Sequence, residues 1–252
     1  MIFKKGDIVH TEKKLAAIAE GIREFCRAKA DRATMERYSK YFKEGYDAYG
    51  VPFEALHEEK ERLLDLYRDD LGLEGFLDLG DMLFATGKYE EGSLAITLTE
   101  AFREEFTLDT FGRFGKWLEK DVRNWAHTDV ICGELLSPLI KRKVVSLADF
   151  SPWRESHSLW CRRAVPVAMV EFLGNQEDYK PLLDFIDPMM MDEEVMVQKG
   201  LGYFLREAWK RQPVVVEEFL LTWKDRAPRV IFQYATEKMS KEAKARFRRA
   251  KK

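Results

Sequence analysis

Apolar residues recur along this 252-residue chain at helical spacing. Over residues 11–30, Leu15, Ile18, Ala19, Ile22 and Cys26 share one face, the repeat of an amphipathic helix. After the tyrosine-rich segment Tyr38 to Tyr49, Pro52 opens a second long helix through Leu56, Leu63, Leu64 and Tyr67. The same period predicts helices at about 73–86, 90–105, 107–122 and 124–136. It resumes at 158–173, 178–187, 192–211, 213–222, 225–237 and 240–250. Asp109-Thr110 and Ser240 suit helix caps, and Pro213 suits a first turn. Val144-Val145 and Val214 to Val216 are β-branched runs too short, and too closely flanked by helix, to carry a sheet. The expected fold is all-α: HEAT-like antiparallel helix pairs stacked into a curved α-solenoid. No repeat of fixed period stands out, so the stacking follows from helix number and length. Segments 45–50 and 141–153 read as irregular, and no Gly-, Ser- or Pro-rich linker divides the chain. One domain over residues 1–252 is therefore expected.

Composition agrees with helices. The chain is 46% hydrophobic and 34% charged with eight prolines, a balance of amphipathic helices rather than of a sandwich or barrel. No run of eighteen apolar residues is present, so no membrane span is expected. The first residues, Met1 to Asp7, lack the apolar stretch and cleavage site of a signal peptide, which points to the cytoplasm. Cys26, Cys132 and Cys161 are widely spaced and fit buried thiols better than disulfides or zinc ligands. The four histidines are scattered, none at i,i+4, and no metal is expected. The net charge of −2 conceals segregation. Sixteen acids face five bases from Glu54 to Asp109, whereas eight bases face one acid from Lys238 to Lys252. The basic end suits phosphates or plain solvent, and the acidic block suits solvent.

Three clusters carry candidate chemistry. In Asn124-Trp125-Ala126-His127-Thr128-Asp129 an indole and a carboxylate stand four residues apart, on one helix face. The same pair also reads as a core tryptophan with a surface or capping aspartate. In Leu159-Trp160-Cys161-Arg162-Arg163-Ala164, paired arginines interrupt an apolar helix. Such heads need a carboxylate, a phosphate or water. Arg162 fits a solvated face, and Arg163, closer to the apolar stripe, has the better claim to a fixed partner. In Val197 to Glu207, Lys199, Tyr203 and Arg206 recur at i, i+4 and i+7. That basic stripe with an aromatic in it suits a nucleic-acid backbone and one base face, or a surface helix with Arg206 paired to an acid. Gly200 and Gly202 suit close approach of a neighbour or a ligand. There is no P-loop, dinucleotide fingerprint, GxSxG or HExxH, and no cofactor is expected. Cys132 and Cys161 have no activating base nearby, and Met189 to Met191 reads as core or loop filling.

These clusters, in this order, resemble the AlkD-like family of DNA alkylation repair glycosylases. Tyr41-Phe42-Lys43 through Tyr49-Gly50-Val51 and Arg229 to Lys238 add to the likeness, which covers roughly residues 35 to 240. The resemblance implies a concave solenoid gripping duplex DNA and hydrolysing the N-glycosidic bond of cationic N3- or N7-alkylated purines. Asp129 then stands for the family's catalytic carboxylate, Trp125 for an aromatic beside the lesion and Arg163 for the arginine of the cleft. Lys43, Arg162, Lys199 and Arg206 are the expected DNA contacts. Tyr203 falls where the family usually has a second tryptophan, a departure that weakens cation binding and that in other relatives accompanies loss of excision. The expected partner is double-stranded DNA bearing alkylated purines, met by a monomer associated with the nucleoid. Two other readings stay open: a non-catalytic protein of branched or distorted DNA, favoured by Tyr203, and a protein-binding HEAT scaffold, suggested by the acidic block.

Overall fold

The computed structural model describes residues 5–249, and side chains from residue 12 onward apart from Asn175. Residues 1–4 of the expected signal-free start and residues 250–252 of the basic tail lie outside the described residues. The chain divides into two compact units, Met1–Pro138 and Leu139–Lys252. No strand occurs among the described residues, and the protein is all-α. The β-branched run at Val214 to Val216 sits inside a helix, as its flanks predict.

The first unit holds α1 (Lys5–Ala28), α2 (Arg32–Ser39), α3 (Phe53–Phe84), α4 (Tyr89–Glu100), α5 (Leu108–Lys120) and α6 (Trp125–Val130). A π-helical turn, Ile131–Leu136, continues from α6, and α7 (Ser137–Lys141) lies at the boundary. All five residues of the predicted α1 stripe, Leu15 to Cys26, are buried. The predicted break near residue 72 is a kink inside α3. Gly72 takes φ 56° and ψ −170°, a backbone region that a residue without Cβ enters cheaply. Helices α3 and α4 form the main packed pair. Leu77, Leu79 and Leu83 of α3 and Leu94, Ile96 and Leu98 of α4 are all buried in this unit's core. Gly80 admits the Trp117 ring of α5, which a Cβ there would meet at 2.7 Å. The Trp117 indole donates to Asp81 at 2.6 Å, so its one polar atom is satisfied in the packing. The cap of α5 is Thr107, with Thr110 completing a capping box, two residues upstream of the predicted Asp109-Thr110 signal.

The second unit holds α8 (Leu159–Met169), α9 (Lys180–Ile186), α10 (Val195–Trp209), α11 (Pro213–Trp223), α12 (Arg229–Ala235) and α13 (Lys241–Ala245). The predicted irregular stretch 141–153 is partly ordered as a 3₁₀ segment, Leu147–Glu155. Pro213 opens α11 and the Ser240 side chain caps α13, both as expected. Met189 and Met190 are core residues. Helix α10 is central and packs on α8 and α12. Its glycines explain how. A Cβ on Gly202 would meet the Ile231 carbonyl at 2.8 Å and Tyr234 Cβ at 2.5 Å, while Gly200 faces Pro166 and the Arg163 carbonyl. The neighbour that these glycines admit is thus protein, not a ligand. Gly202→Ala is expected to destabilise by roughly 1–3 kcal/mol, because backbone atoms of α12 must give way. Gly112, with nothing within 4 Å, is the control, and its alanine variant should gain stability from helix propensity. Urea midpoints for the two variants decide it; equal midpoints would remove the packing argument.

Candidate functional site

Asn124 starts α6. Its Oδ1 accepts from the His127 backbone N–H at 2.8 Å, so Asn124 and not Asp129 is the cap of this helix. Trp125 and Asp129 follow on one face, one turn apart, and both are half-buried. The Trp125 indole N–H donates to the Tyr41 carbonyl at 3.1 Å. That bond ties α6 to the tyrosine-rich segment, two residues before the exposed Lys43. Phe42 lies near-parallel to both Trp125 and Tyr46, with ring centroids 5.7 and 4.6 Å away. Tyr89, at the start of α4, meets Phe42 edge-on at 5.4 Å.

His127 locks this helix in place. It is buried and stacks on Tyr89 at 4.7 Å, with interplanar angle 14°. Nε2 sits 3.0 Å from the Tyr89 carbonyl, and the Asn124 side-chain amide reaches Nδ1 at 3.1 Å. These partners define a neutral imidazole with its proton on Nε2. Gly92 makes the room, since a Cβ there would stand 2.6 Å from the ring. Burial depresses the His127 pKa to about 4, only partly offset by the Tyr89 carbonyl. Above pH ~6.5 the group is neutral in both folded and unfolded chains and contributes no pH dependence. As pH falls from there to about 4, the unfolded chain takes up the proton first, so roughly 3 kcal/mol of stability is lost. Urea unfolding between pH 7 and 4 should show this slope in the wild type and a shallower one in His127→Gln; equal slopes would contradict it.

Two buried acids build the wall opposite. Glu90 accepts backbone N–H groups of Tyr49, Gly50 and Val51 at 2.9, 2.7 and 3.1 Å. Glu91 takes the Tyr49 hydroxyl at 2.8 Å and Arg23 of α1 at 3.1 Å. The Tyr49 phenol is raised above its usual range, mainly by burial and then by this hydrogen bond to Glu91. Burial, with the fields of Glu90 and Glu91, likewise pushes the Cys26 thiol up to about 12, so it stays protonated. Glu59 is buried too, paired with Arg62 at 2.6 Å. The acidic 54–109 block is therefore not simply a solvated face: three of its carboxylates are buried, and Glu90 and Glu91 tie separate segments of the first unit together. Between α3, α4, α6 and the 38–51 segment lies a cavity of about 620 Å³. Trp125, Ala126 and Val130 line it from α6, and Asp129 is not among its lining residues.

The other predicted residues belong to the second unit. Arg163 on α8 is 7% exposed and donates to the Met196 carbonyl at 2.6 Å. Tyr203 lies on the adjacent α10, half-buried, with the Arg206 guanidinium 5.2 Å from its ring centre. Arg162 is not a solvated arginine: it donates to both Asp192 oxygens, at 2.7 and 3.4 Å, and to the Ser156 carbonyl at 2.7 Å. A phosphate would have to displace those partners. Arg206 is held by Glu207 and Glu237. Lys199 and Lys43 form no ion pair among the described residues. The basic tail is tied down in part, with Arg246 bonded to Glu217 and Arg249 to the Ala227 carbonyl. Sequence reasoning missed His127, Tyr89 and Glu90. Nothing in their spacing marks them, although the density of tyrosines from Tyr38 to Tyr49 points to the cavity's other wall.

Residues 22–239 match the family model for DNA alkylation repair enzyme. The chain belongs to this family. The match runs through both units and includes Trp125, Asp129, Arg163 and Tyr203. Among solved structures, a predicted DNA alkylation repair enzyme from Enterococcus faecalis superposes with TM-score 0.72 at 18% identity, covering 84% of this chain and 98% of its own. AlkD2 from Streptococcus mutans gives 0.55 at 20% identity, covering 82% of this chain and 97% of its own. The smu.31 protein of Streptococcus mutans UA159 gives 0.55 at 21%, with coverages of 74% and 94%. These likenesses establish the family's fold. No curated protein matches the sequence. Among the described residues no group of three or more His, Cys, Asp or Glu is placed to hold a metal ion, and no helix is long and apolar enough to cross a membrane.

Proposed function

We propose that this member of the DNA alkylation repair family is a DNA glycosylase, hydrolysing the N-glycosidic bond of cationic N3- or N7-alkylated purines in duplex DNA. The observation that carries the reading is the Trp125–Asp129 pair, one turn apart on α6, whose N-cap is Asn124. An alkylated purine already bears positive charge and departs as a neutral base, so no general acid is required. Electrons of the C1′–N bond leave with the base, and water adds to C1′, losing a proton, to give an abasic site. Asp129 stabilises the oxocarbenium-like sugar and orients that water. Trp125 offers a π face to the cationic lesion. Arg163 and Tyr203, on packed neighbours α8 and α10, are proposed as cleft and lesion contacts, and Lys43 and Lys199 as phosphate contacts. The protein is proposed to act as a monomer.

A second reading, DNA binding without excision, is favoured by Tyr203. Its ring already has a cation of the protein's own, Arg206, beside it, and tyrosine is a weaker cation partner than tryptophan. One assay separates the readings: duplex DNA bearing 7-methylguanine, scored for abasic sites, with Asp129→Asn alongside. Base release by the wild type supports the glycosylase. Binding that weakens steeply with salt, but without release, supports the second reading. The absence of salt-dependent binding would dismiss both.

A further inference from the structure

We propose that the cavity of the first unit is a binding site for a free planar aromatic cation, held among the rings of Phe42, Tyr46, Tyr89 and Trp125 beside the buried Glu90 carboxylate. This does not rest on base excision. It concerns a ligand taken up without DNA, by residues that do not include Asp129.

The cavity's size, about 620 Å³, falls in the range of small-molecule sites. Seven of its lining residues are phenylalanine, tyrosine or tryptophan. Tyr46, Phe42 and Trp125 are near-parallel, tilted by 13° and 20°, and pack on one another, so a flat ligand would add to the edge or outer face of this stack. The mouth is aromatic as well: Phe53 is 76% exposed and Tyr41 56%. Rings left in water forgo the gain of burial, and the Tyr41 ring has the Lys40 ammonium 5.2 Å from its centre.

Charge selects the ligand further. Glu90 lines the cavity with 1% of its surface exposed, so water screens its charge poorly. Burial, and after it the field of Glu90, raises the Tyr46 and Tyr89 hydroxyls above their usual range. Several of the other polar side chains are committed. Ser93 donates to the Tyr89 carbonyl at 2.9 Å, Thr97 to the Ser93 carbonyl at 3.0 Å, and both His127 nitrogens are in use. The cavity's lysine, Lys60, is paired with Glu61 at 3.3 Å. Aromatic faces and one carboxylate favour a cation. A bare ammonium has no flat surface to lay on these rings, whereas a fused two-ring cation presents both a face and a charge.

The test uses the whole protein without DNA and N-methylquinolinium as probe, followed by quenching of tryptophan fluorescence and by calorimetry. Quinoline, uncharged at neutral pH, and tetramethylammonium are the comparators. Saturable binding is expected for the probe, about tenfold tighter than for either comparator, and weakened several-fold by Tyr41→Leu and by Phe53→Ala. Both side chains are exposed, so the variants keep their fold. Equal affinity for quinoline would reduce the site to an apolar hole. Equal affinity for tetramethylammonium would remove the planar ligand. No binding, or affinity unchanged in both variants, would overturn the proposal. A failure of base excision leaves this measurement untouched.

Discussion

Replacing Asp129 with asparagine is expected to lower release of 7-methylguanine from duplex DNA by about 10²–10³-fold, the scale on which loss of one transition-state electrostatic partner acts. Asparagine keeps the shape and one acceptor oxygen, so α6 and its Asn124 cap should be undisturbed. What disappears is the negative charge opposite a sugar that becomes positive as the base departs. In the proposed mechanism the lesion leaves without a proton, so the carboxylate would act in the transition state and not as an acid. The loss should therefore fall on the single-turnover rate, with DNA affinity changed only slightly. Wild-type activity in the asparagine variant would remove Asp129 from the mechanism.

Glu90→Gln is expected to be the most damaging substitution for stability, at about 3–5 kcal/mol. The carboxylate is 1% exposed and receives three consecutive backbone N–H groups. Glutamine retains one acceptor oxygen and turns an NH₂ group toward the remaining donors, leaving buried N–H groups unsatisfied. The loop cannot relax easily. Gly50 sits at φ 82°, and a Cβ there would stand 2.2 Å from the Asp31 carbonyl. A fall in melting temperature of roughly 10 °C follows for a chain of this size. Glu54→Gln, at an exposed position, should shift it little. Equal melting temperatures would show that the three-donor cradle is not what holds the loop.

Much of this fold was legible because helix period records burial directly. The α1 stripe, the break near Gly72, the first turn at Pro213 and the cap at Ser240 are local matters of one face or one turn. The long-range ties were not legible. That Gly202 is demanded by α12, or that Glu90 is buried, depends on partners about 30 to 40 residues away. At the candidate site, Trp125 and Asp129 were readable as a pair on one helix. Arg162 was not: its sequence suits a solvated face, yet it is clasped by Asp192, 30 residues on. The acidic block misled for a related reason, since net charge does not distinguish a solvated carboxylate from one surrounded by backbone donors.

The π-helical turn at Ile131–Leu136 follows directly on the helix that carries Asp129. Successive residues of an α-helix are about 100° apart, so seven residues bring the chain almost back to its starting azimuth. In unbroken α phase Asp129 would stand above Leu136, a residue with no exposed surface, and its charge would be directed into the core. A turn closed by i→i+5 bonds takes in one more residue and shifts that phase. Asp129 is accordingly half-exposed, while Leu135 and Leu136 are fully buried. The local irregularity acts as a phase shifter: one surplus residue separates the face that packs from the face that meets the outside.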